Sequence, residues 1–376
     1  MKPDKPISCK APRSPDYLQM SLAAAMTLGL KEGLFYRNAR LYCLNLLLTY
    51  PEGCRANCAY CGLQKSREGD FGHKSFIRVA WPTYDLETII QKTKEHKTRL
   101  FRICISMITH PRALRDTLYL TQRFQEEVGL PISILMNPTS MVTSDLQELK
   151  KKGAQMAAVA LDLATEDLFD RRRGRGVGGP HRFDRYWSML ELTAETFGKD
   201  KAGCHLIVGL GEREEAMVQR IQRVRDLGAR THLFSFFPEK GSRLAREKPC
   251  PVNQYRRIQL ARYLIDGDYR RAENMSFDDQ GRILSYGLMK SEVEQWIESG
   301  KPFRTSGCPG GGLEAACNRP FGDGPPRDIR SFPFALEEED IALVKQQLTL
   351  DDRDFQGRSP AARVRPGSEP QGGFKP

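Results

Sequence analysis

The chain has 376 residues, of which 40% are hydrophobic and 28% are charged. This composition supplies a large apolar core and excludes a globally disordered chain. No apolar run reaches the roughly 20 residues that cross a bilayer, so we expect no membrane span. The 58 Lys and Arg exceed the 47 Asp and Glu by 11 charges, which suits nucleic acid, phosphates, acidic membranes or acidic proteins alike.

Ten cysteines are spread along the chain and are not packed into a short disulfide framework. Metal ligation is therefore the first hypothesis for them, and it needs a reducing compartment. The Ala-rich stretch from Met20 to Leu30 imitates a signal-peptide core, but Asp16 interrupts the approach to it. We predict an N-terminal arm and a short amphipathic helix over residues 1–40, in a cytoplasmic protein.

From residue 41 to about residue 250, short β-type runs alternate with longer segments of helical period. The runs are 41–49, 100–107, 132–137, 156–162, 205–209 and 231–236, and the helical segments include 86–96, 145–152, 185–196 and 216–227. Steady alternation predicts parallel strands joined by crossover helices. Six such units form either a partial barrel or an open doubly wound sheet.

Residues 251–350 are predicted to be an extension with a different character. Its first half, 253–298, is polar and helical with one hairpin-like interruption, and the segment 305–333 is rich in Gly and Pro. Residues 351–376 have no periodicity and nearly balanced charge, which predicts a disordered tail and not a basic nucleic-acid arm.

The most specific motif is a cysteine triad, Cys54, Cys58 and Cys61, directly after the first β-type run. The spacing C-x3-C-x2-C places three thiolates in one loop, where they can bind three irons of a cubane cluster and leave the fourth iron open. Tetrahedral zinc is the weaker alternative, because no second paired motif follows at zinc-finger spacing.

With Tyr60 in the aromatic position, this loop resembles the C-x3-C-x-aromatic-C signature of the radical S-adenosylmethionine (SAM) enzymes. The resemblance covers residues 41–244 and implies a [4Fe-4S] cluster that binds SAM. It also implies an α/β fold, a partial (β/α)6 TIM-like barrel, here with a C-terminal cluster-binding extension. The implied cofactor-binding residues are Tyr60, Ser106, Met107, Asp162, Arg173, Ile207, Gly209, Glu212 and Phe237.

Several of these residues also have structural explanations. Ile207, Gly209 and Glu212 match the family's I-x-G-x-x-E motif beside the adenine, but glycines there also make a strand-to-helix turn. Asp162 is implied to bind the ribose hydroxyls, yet it is also placed to cap the following helix. Arg173 is implied to pair with the SAM carboxylate, whereas its basic neighbours indicate a solvated loop or a phosphate patch.

A second cysteine site is predicted in the Gly- and Pro-rich segment, at Cys308 and Cys317. Such loops wrap clusters well, so an auxiliary Fe–S cluster is the leading hypothesis, with a disulfide or inert thiols as alternatives. Two cysteines do not complete a ligand set, and the remainder would come from Cys43, Cys9, a serine such as Ser306, or an open iron. Cys104 and Cys204 are predicted to be buried packing residues.

At subfamily level the chain resembles the split, two-subunit lipoyl synthases. The matching blocks are 44–54, 75–82 and 304–320, the last containing Ser306-Gly-Cys308-Pro and Cys317-Asn-Arg-Pro. The resemblance implies sulfur insertion into an octanoyl chain on a lipoyl carrier protein or glycine-cleavage H protein. It also implies a second radical SAM subunit and reduced ferredoxin or flavodoxin as the electron donor. Carriers of this kind are usually acidic, which suits a basic enzyme.

Three competing functions remain open at this point. A biotin-synthase-like or hydrogenase-maturase-like enzyme would act on a small molecule in a closed polar pocket. An RNA modifier would need an accessory RNA-binding module, which the helical and loop-rich C-terminal region does not predict, so we expect no nucleic-acid partner. A non-catalytic Fe–S or zinc protein would hold the metal and leave SAM intact.

Overall fold

In the computed structural model of the chain, the described residues are 11–67, 79–322 and 326–348. The first ten residues of the predicted arm and the predicted tail 351–376 lie outside them. So do residues 75–78 of the block 75–82.

One sheet of eight strands organises the fold. In chain order its strands are β1 (Tyr17–Met20), β2 (Cys43–Leu48), β3 (Thr83–Asp85), β4 (Arg102–Ser106), β5 (Ile132–Met136), β6 (Ala154–Asp162), β7 (Ala202–Val208) and β8 (Arg230–Ser235). They lie in the order β3-β1-β2-β4-β5-β6-β7-β8. From β2 to β8 every neighbouring pair is parallel. The predicted α/β fold with six parallel barrel strands is confirmed.

Helices connect the parallel strands, as the periodicity predicts. The connecting helices are α2 (Leu86–Glu95), α3 (Ala113–Glu127), α4 (Thr143–Lys151), α5 (Glu166–Arg172), α6 (Phe183–Phe197) and α7 (Glu214–Asp226). Outside the parallel array lie α1 (Leu22–Thr27), α8 (Val252–Asp266), α9 (Lys290–Glu298) and α10 (Glu338–Leu348). Between α8 and α9 the expected hairpin is the antiparallel pair β9 (Ser276–Phe277) and β10 (Ile283–Ser285). Within the described ranges, no helix is long and apolar enough to cross a membrane.

The two faces of the parallel sheet carry different residues. Side chains alternate between faces along a strand, so the outer face takes residues such as Leu46, Ile105 and Ile134, all fully buried. The inner face takes the intervening residues, including Asn45 and Cys104, which are partners in the β2–β4 register. The apolar outer face packs against the helices, and the inner face, where polar and apolar residues are mixed, is left for a site.

The segment before residue 41 contributes a strand that the sequence pattern does not indicate. β1 pairs antiparallel with both β2 and β3 and so extends the sheet beyond the barrel. Ser14 fixes the entry to this strand, because its backbone N–H donates to the Thr49 carbonyl at 2.8 Å and its hydroxyl accepts from the Thr49 N–H at 3.0 Å. Four residues are too short a window for a periodicity argument.

The C-terminal loop lies between the two ends of the parallel array. The Leu233 N–H on β8 donates to Ser306 Oγ at 2.8 Å. Ahead of β2, Asn318 accepts from the Tyr42 N–H at 3.3 Å and donates to the Arg40 carbonyl at 2.6 Å. The loop thus bridges β8 to the entry of β2, which brings Cys308 and Cys317 to the inner face.

Asp266, at the end of α8, generates a prediction about stability. Burial raises its pKa to about 6, against the opposing effect of Arg262, and the carboxylate accepts from the Thr231 N–H at 3.2 Å. The folded state holds the Asp266 proton more tightly than the unfolded state does. The stabilising contribution of this protonated side chain is therefore fully present at low pH and is lost as the pH rises through the folded pKa. We expect Asp266 to reduce the free energy of unfolding by about 3 kcal/mol between about pH 4 and about pH 7.

Asp266→Asn should flatten that dependence while it keeps an acceptor for Thr231, as measured by urea unfolding across the pH range. Asp268→Asn is the matched control, because hydrogen bonding from Arg225 lowers the pKa of Asp268 and makes its pH effect opposite in sign. An unchanged pH profile in Asp266→Asn would contradict the prediction.

Candidate active site at the carboxyl edge of the sheet

The cysteine loop follows β2 and lies across the carboxyl ends of the parallel strands. Its backbone bonds to the segments after three other strands: the Arg55 N–H to the Thr109 carbonyl at 2.8 Å, the Ala59 N–H to Arg172 at 2.8 Å, and the Leu244 N–H to Ala59 at 3.1 Å. Ligands of α/β barrels bind at this edge. The predicted triad is therefore positioned by β4, β6 and β8 together.

The three thiols of the triad lie close enough to influence one another. Burial raises the pKa of Cys58 to about 12, with a smaller contribution from Cys54. Burial also raises the pKa of Cys61 well above its usual value, and both other thiols add to the effect. Across the described ranges, no three His, Cys, Asp or Glu side chains are already arranged to hold a metal ion. The donor set nevertheless fits an Fe–S cluster, since three cysteines in one loop supply thiolates, the ligands of such clusters.

A buried ion pair lies directly beneath the triad. The Tyr60 hydroxyl donates to Asp162 Oδ2 at 2.6 Å, and Arg173 pairs with the same carboxylate oxygen. Arg173 Nη1 also donates to the Tyr60 hydroxyl at 2.9 Å. Burial alone lowers the pKa of Arg173, but the charges of Asp162 and Tyr60 outweigh it and raise that pKa well above its usual value. Asp162 has φ of +67°, a conformation that Asp tolerates better than most residues.

A second layer of polar groups supports this pair from α6. Arg173 Nη2 donates to the Tyr186 hydroxyl at 3.2 Å, and Tyr186 donates to Asn137 Oδ1 at 3.0 Å. His181 Nδ1 lies 2.9 Å from the same hydroxyl. Burial, with Arg173 nearby, lowers the pKa of His181 to about 2, so its imidazole is neutral. Sequence reasoning missed this layer, because its members are far apart along the chain.

The I-x-G-x-x-E segment after β7 forms a tight turn at the same edge. Glu212 accepts from the Gly209 N–H at 2.6 Å and from the Leu210 N–H at 2.9 Å. Gly209 has φ of +99°, and a Cβ there would lie 2.5 Å from Cys250 Cβ, so only glycine fits. The turn explanation therefore holds for Gly209, Glu212 stabilises the same turn, and the contact of this segment with adenine stays a prediction.

The other predicted cofactor residues also reach this edge. Ser106 ends β4 and Met107 follows it, and both are buried, while Ile207 is half-buried on the inner face of β7. Phe237 follows β8, with the Arg330 guanidinium 5.0 Å from its ring centroid. The structure gathers all the predicted positions at one end of the barrel, and which of them bind SAM stays a prediction.

Four cysteines form a second buried group inside the barrel. Cys43, Cys308 and Cys317 pack together with Met156, and Cys104 packs against them. The Asn45 amide lies 3.4 Å from Cys317 Sγ and 3.8 Å from Cys43 Sγ. Cys43 begins β2 and Cys104 lies within β4, so this group is on the inner face, toward the amino ends of the strands.

The electrostatics of this group favour one thiolate. A hydrogen bond from Cys43 lowers the pKa of Cys317 to about 6, and Arg319 and Asn45 act in the same direction against burial. Burial raises the pKa of Cys43 and Cys104 well above their usual values. Gly307 allows the close packing, because a Cβ there would lie 2.3 Å from the Cys317 carbonyl oxygen.

Sequence reasoning treated Cys104 as a packing residue and left Cys43 as one of several options. A pattern in the sequence indicates that both cysteines share one face of the sheet. Polar or sulfur-bearing residues occupy every second position of otherwise apolar strands, Cys43 and Asn45 in β2 and Arg102, Cys104 and Ser106 in β4. Ser306, another option, is hydrogen-bonded to Leu233. Cys204 lies fully buried on the outer face, as predicted.

The inner wall between the two cysteine groups is mostly apolar and only half-buried. Its half-buried members are Cys104, Leu135, Ala160, His205, Ile207 and Phe234. His205 and His232 lie side by side there, with ring centroids 5.2 Å apart. Burial lowers the pKa of His205 to about 3 and lowers that of His232 well below its usual value, so both are neutral.

The ion pair beneath the triad yields a prediction for stability. Asp162→Asn keeps the positive-φ backbone and the size of the side chain but leaves Arg173 buried without its counter-charge. We expect a loss of about 3–5 kcal/mol in the free energy of unfolding, measured by urea denaturation. The double variant Asp162→Asn/Arg173→Met should recover most of the loss, and equal losses in both variants would contradict a direct pairing.

Comparison with known proteins gives one family match. Residues 48–224 match the model described as the radical SAM superfamily. Curated proteins compared by sequence give no match. Among solved structures, the chain is similar to HydG, a maturase of the [FeFe]-hydrogenase, with 12% identity and a TM-score of 0.47 over 65% of this chain and 53% of that one. It is also similar to TsrM, a radical S-adenosylmethionine methyltransferase from Kitasatospora setae, with 13% identity and a TM-score of 0.37 over 65% of this chain and 43% of that one.

The chain thus spans about half the length of these solved structures. The segment matched by the family model runs from the last residue of β2 into α7. It includes the cysteine triad, Tyr60, Asp162 and Arg173. Residues 48–224 are therefore similar to a radical SAM superfamily domain, and this similarity implies a [4Fe-4S] cluster and SAM as cofactors.

Proposed function

We propose that this protein inserts sulfur into an octanoyl chain carried on a lysine of a lipoyl carrier protein or H protein. In this proposal it acts as one subunit of a split lipoyl synthase. The observation that carries the proposal is the second buried cysteine group, which faces the same barrel interior as the edge that carries the cysteine triad. Sulfur insertion requires a source of sulfur besides the radical-generating cluster, and this group is where the chain could hold one.

When bound, the cluster and SAM supply a 5′-deoxyadenosyl radical able to remove hydrogen from unactivated carbon. The residues of this chain bind and orient the cofactors. Cys54, Cys58 and Cys61 would hold three irons, and the pairing of Tyr60 with Asp162 fixes the loop that carries them. Asp162 and Arg173 offer one negative and one positive group, which suit the ribose hydroxyls and the carboxylate of SAM.

We infer that Cys308 and Cys317 are ligands of an auxiliary Fe–S cluster and that Cys43 and Cys104 complete its ligand set. Four cysteines match the usual ligation of such clusters. The Asn45 amide donates toward two of the sulfurs, and Arg319 lowers the pKa of Cys317, so the surroundings favour negative sulfur. Binding would have to draw the four thiols into ligand geometry, with loss of their protons.

The wall between the two cysteine groups suits an alkyl chain. Leu135, Ala160, Ile207 and Phe234 offer apolar surface that is only half-buried. A saturated chain can lie against such residues without stripping water from polar groups, whereas a polar small molecule cannot. Substrate carbon between the radical source and a sulfur-bearing cluster is the arrangement that sulfur insertion requires.

The partners in this proposal are an acidic carrier, a second radical SAM subunit, and reduced ferredoxin or flavodoxin as the electron donor. A net charge of +11 gives favourable steering toward acidic proteins of this kind.

The decisive experiment uses reconstituted protein, dithionite, SAM and an octanoylated H-protein peptide, with and without the second subunit. We expect 5′-deoxyadenosine together with a gain of sulfur mass on the peptide, and we expect Cys58→Ala to abolish both. Cys204→Ala is the matched control, since it removes a buried thiol from the outer face.

SAM cleavage with an unchanged peptide in every combination would exclude lipoyl synthesis and favour an enzyme acting on a small molecule. Intact SAM would instead indicate a non-catalytic metal protein.

Iron and sulfide content test the second cysteine group. Both pairs of cysteines are proposed ligands of one cluster, so each double variant should lose one of two clusters. We expect about half of the bound iron and sulfide to be lost in Cys308→Ala/Cys317→Ala and also in Cys43→Ala/Cys104→Ala. Cys204→Ala should retain all of it. Full iron content in Cys43→Ala/Cys104→Ala would remove the strand cysteines from the ligand set.

A further inference from the structure

We propose that a cleft between the segment after β6 and helix α7 binds a surface carboxylate of the acidic carrier protein. The inference rests on the proposed function, because it states where the carrier docks. The cleft has a volume of about 390 Å³, and its lining includes Ala164, Thr165, Arg213, Gln219, Arg220 and Arg223.

Arg220 is a buried and hydrogen-bonded residue in the wall of this cleft. The residue is only 8% exposed, and its Nε donates to the Ala164 carbonyl at 2.7 Å. Its guanidinium carbon lies 4.7 Å from the Trp187 ring centroid and 4.8 Å from that of Phe183. Within the described part of the chain, its buried Nη1 finds no hydrogen-bond acceptor. Burial lowers the pKa of Arg220 to about 10, which still leaves it charged at neutral pH.

Arg223 adds a second positive charge on the same aromatic surface. It is exposed, lies one turn along α7, and holds its guanidinium carbon 4.8 Å from the Trp187 ring centroid. It forms no ion pair with any described residue, and its charge contributes to lowering the pKa of Arg220. The guanidinium groups of Arg220 and Arg223 therefore both lie against the Trp187 ring without a negative partner. A carboxylate placed between them would provide the missing negative charge and accept hydrogen bonds from them.

The acidic groups nearby do not fill this role. Glu215, also in the lining, lies 3.7 Å from Arg213 at its own end of the cleft. Glu166 raises the pKa of Arg220, but it ranks behind burial, Arg223 and Cys204 among the influences on that pKa. The cleft thus keeps a local excess of positive charge, in contrast to Arg271, which pairs with both Asp226 and Glu273.

The position of the cleft favours a protein-borne carboxylate over a free anion. Ala164 lies two residues after Asp162 and Arg213 directly precedes α7, so one end of the cleft is at the carboxyl edge, where the candidate active site opens. Arg213, Gln219 and Arg223 are exposed and accessible to the surface of a partner. A carrier held there would be next to the edge through which its lysine-borne chain must enter.

The test measures binding of octanoylated H protein to the full-length chain by calorimetry at low and moderate salt. We expect Arg223→Gln to weaken binding about tenfold, and Arg223→Glu to weaken it further, because charge reversal replaces attraction by repulsion. The salt dependence should flatten in both variants. Arg271→Gln removes the same charge from a paired site and should bind within about twofold of the unchanged protein.

Two results would overturn the docking site: no binding of H protein to the unchanged chain, or equal affinities for Arg223→Gln, Arg223→Glu and Arg271→Gln. Sulfur insertion into the short octanoylated peptide by the unchanged chain separates the two ideas. If the peptide gains sulfur while the Arg223 variants bind normally, the docking site fails and the proposed function stands. If the peptide never gains sulfur, with or without the second subunit, the proposed function fails.

Discussion

The buried pair of Asp162 and Arg173 is the interaction on which the candidate active site depends. Two charges removed from water are tolerated only when they are paired and hydrogen-bonded, and here Tyr60 and Tyr186 supply further hydrogen bonds to the pair. Hydrophobic replacements of the pair would not fix the position of Tyr60, which lies between Cys58 and Cys61. The pair therefore couples the cluster loop to β6, to the end of α5 and to α6. If SAM binds here as predicted, Asp162 would accept hydrogen bonds from its ribose hydroxyls and Arg173 would pair with its carboxylate.

The strict alternation of a strand explains how one sheet serves both packing and chemistry. Residues such as Leu46, Ile105 and Leu206 face the helices and are fully buried, which supplies most of the apolar burial. The residues between them face inward. In a barrel with a packed interior these positions hold Val, Ile or Leu, whereas here they include Asn45, Cys104 and His205. A β-bulge between Ala160 and Asp162 shifts the register of β6 at its carboxyl end. This shift accompanies the positive φ of Asp162 and re-aims its side chain at the cysteine loop.

Sequence alone predicted what is encoded locally. The six parallel strands, their helices and the spacing of Cys54, Cys58 and Cys61 each depend on residues close together in the chain, and each prediction is consistent with the fold. Contacts between distant segments escaped prediction. Cys104 meets Cys317 only because the C-terminal loop folds back between β8 and β2, and Tyr186 meets Arg173 only through the packing of α6. β1 was missed because a strand of four residues gains its stability from two neighbours and not from its own pattern.

The net charge of +11 overstates the positive charge that is available to partners, because several arginines serve the interior. Arg225 joins Asp200 and Asp268, Arg257 pairs with Glu214, and Arg256 is fully buried against backbone carbonyls. These side chains fix α7 and α8 and present little charge to solvent. Recognition of an acidic partner therefore depends on which cations lack a counter-charge, and Arg223 is such a residue within the described ranges.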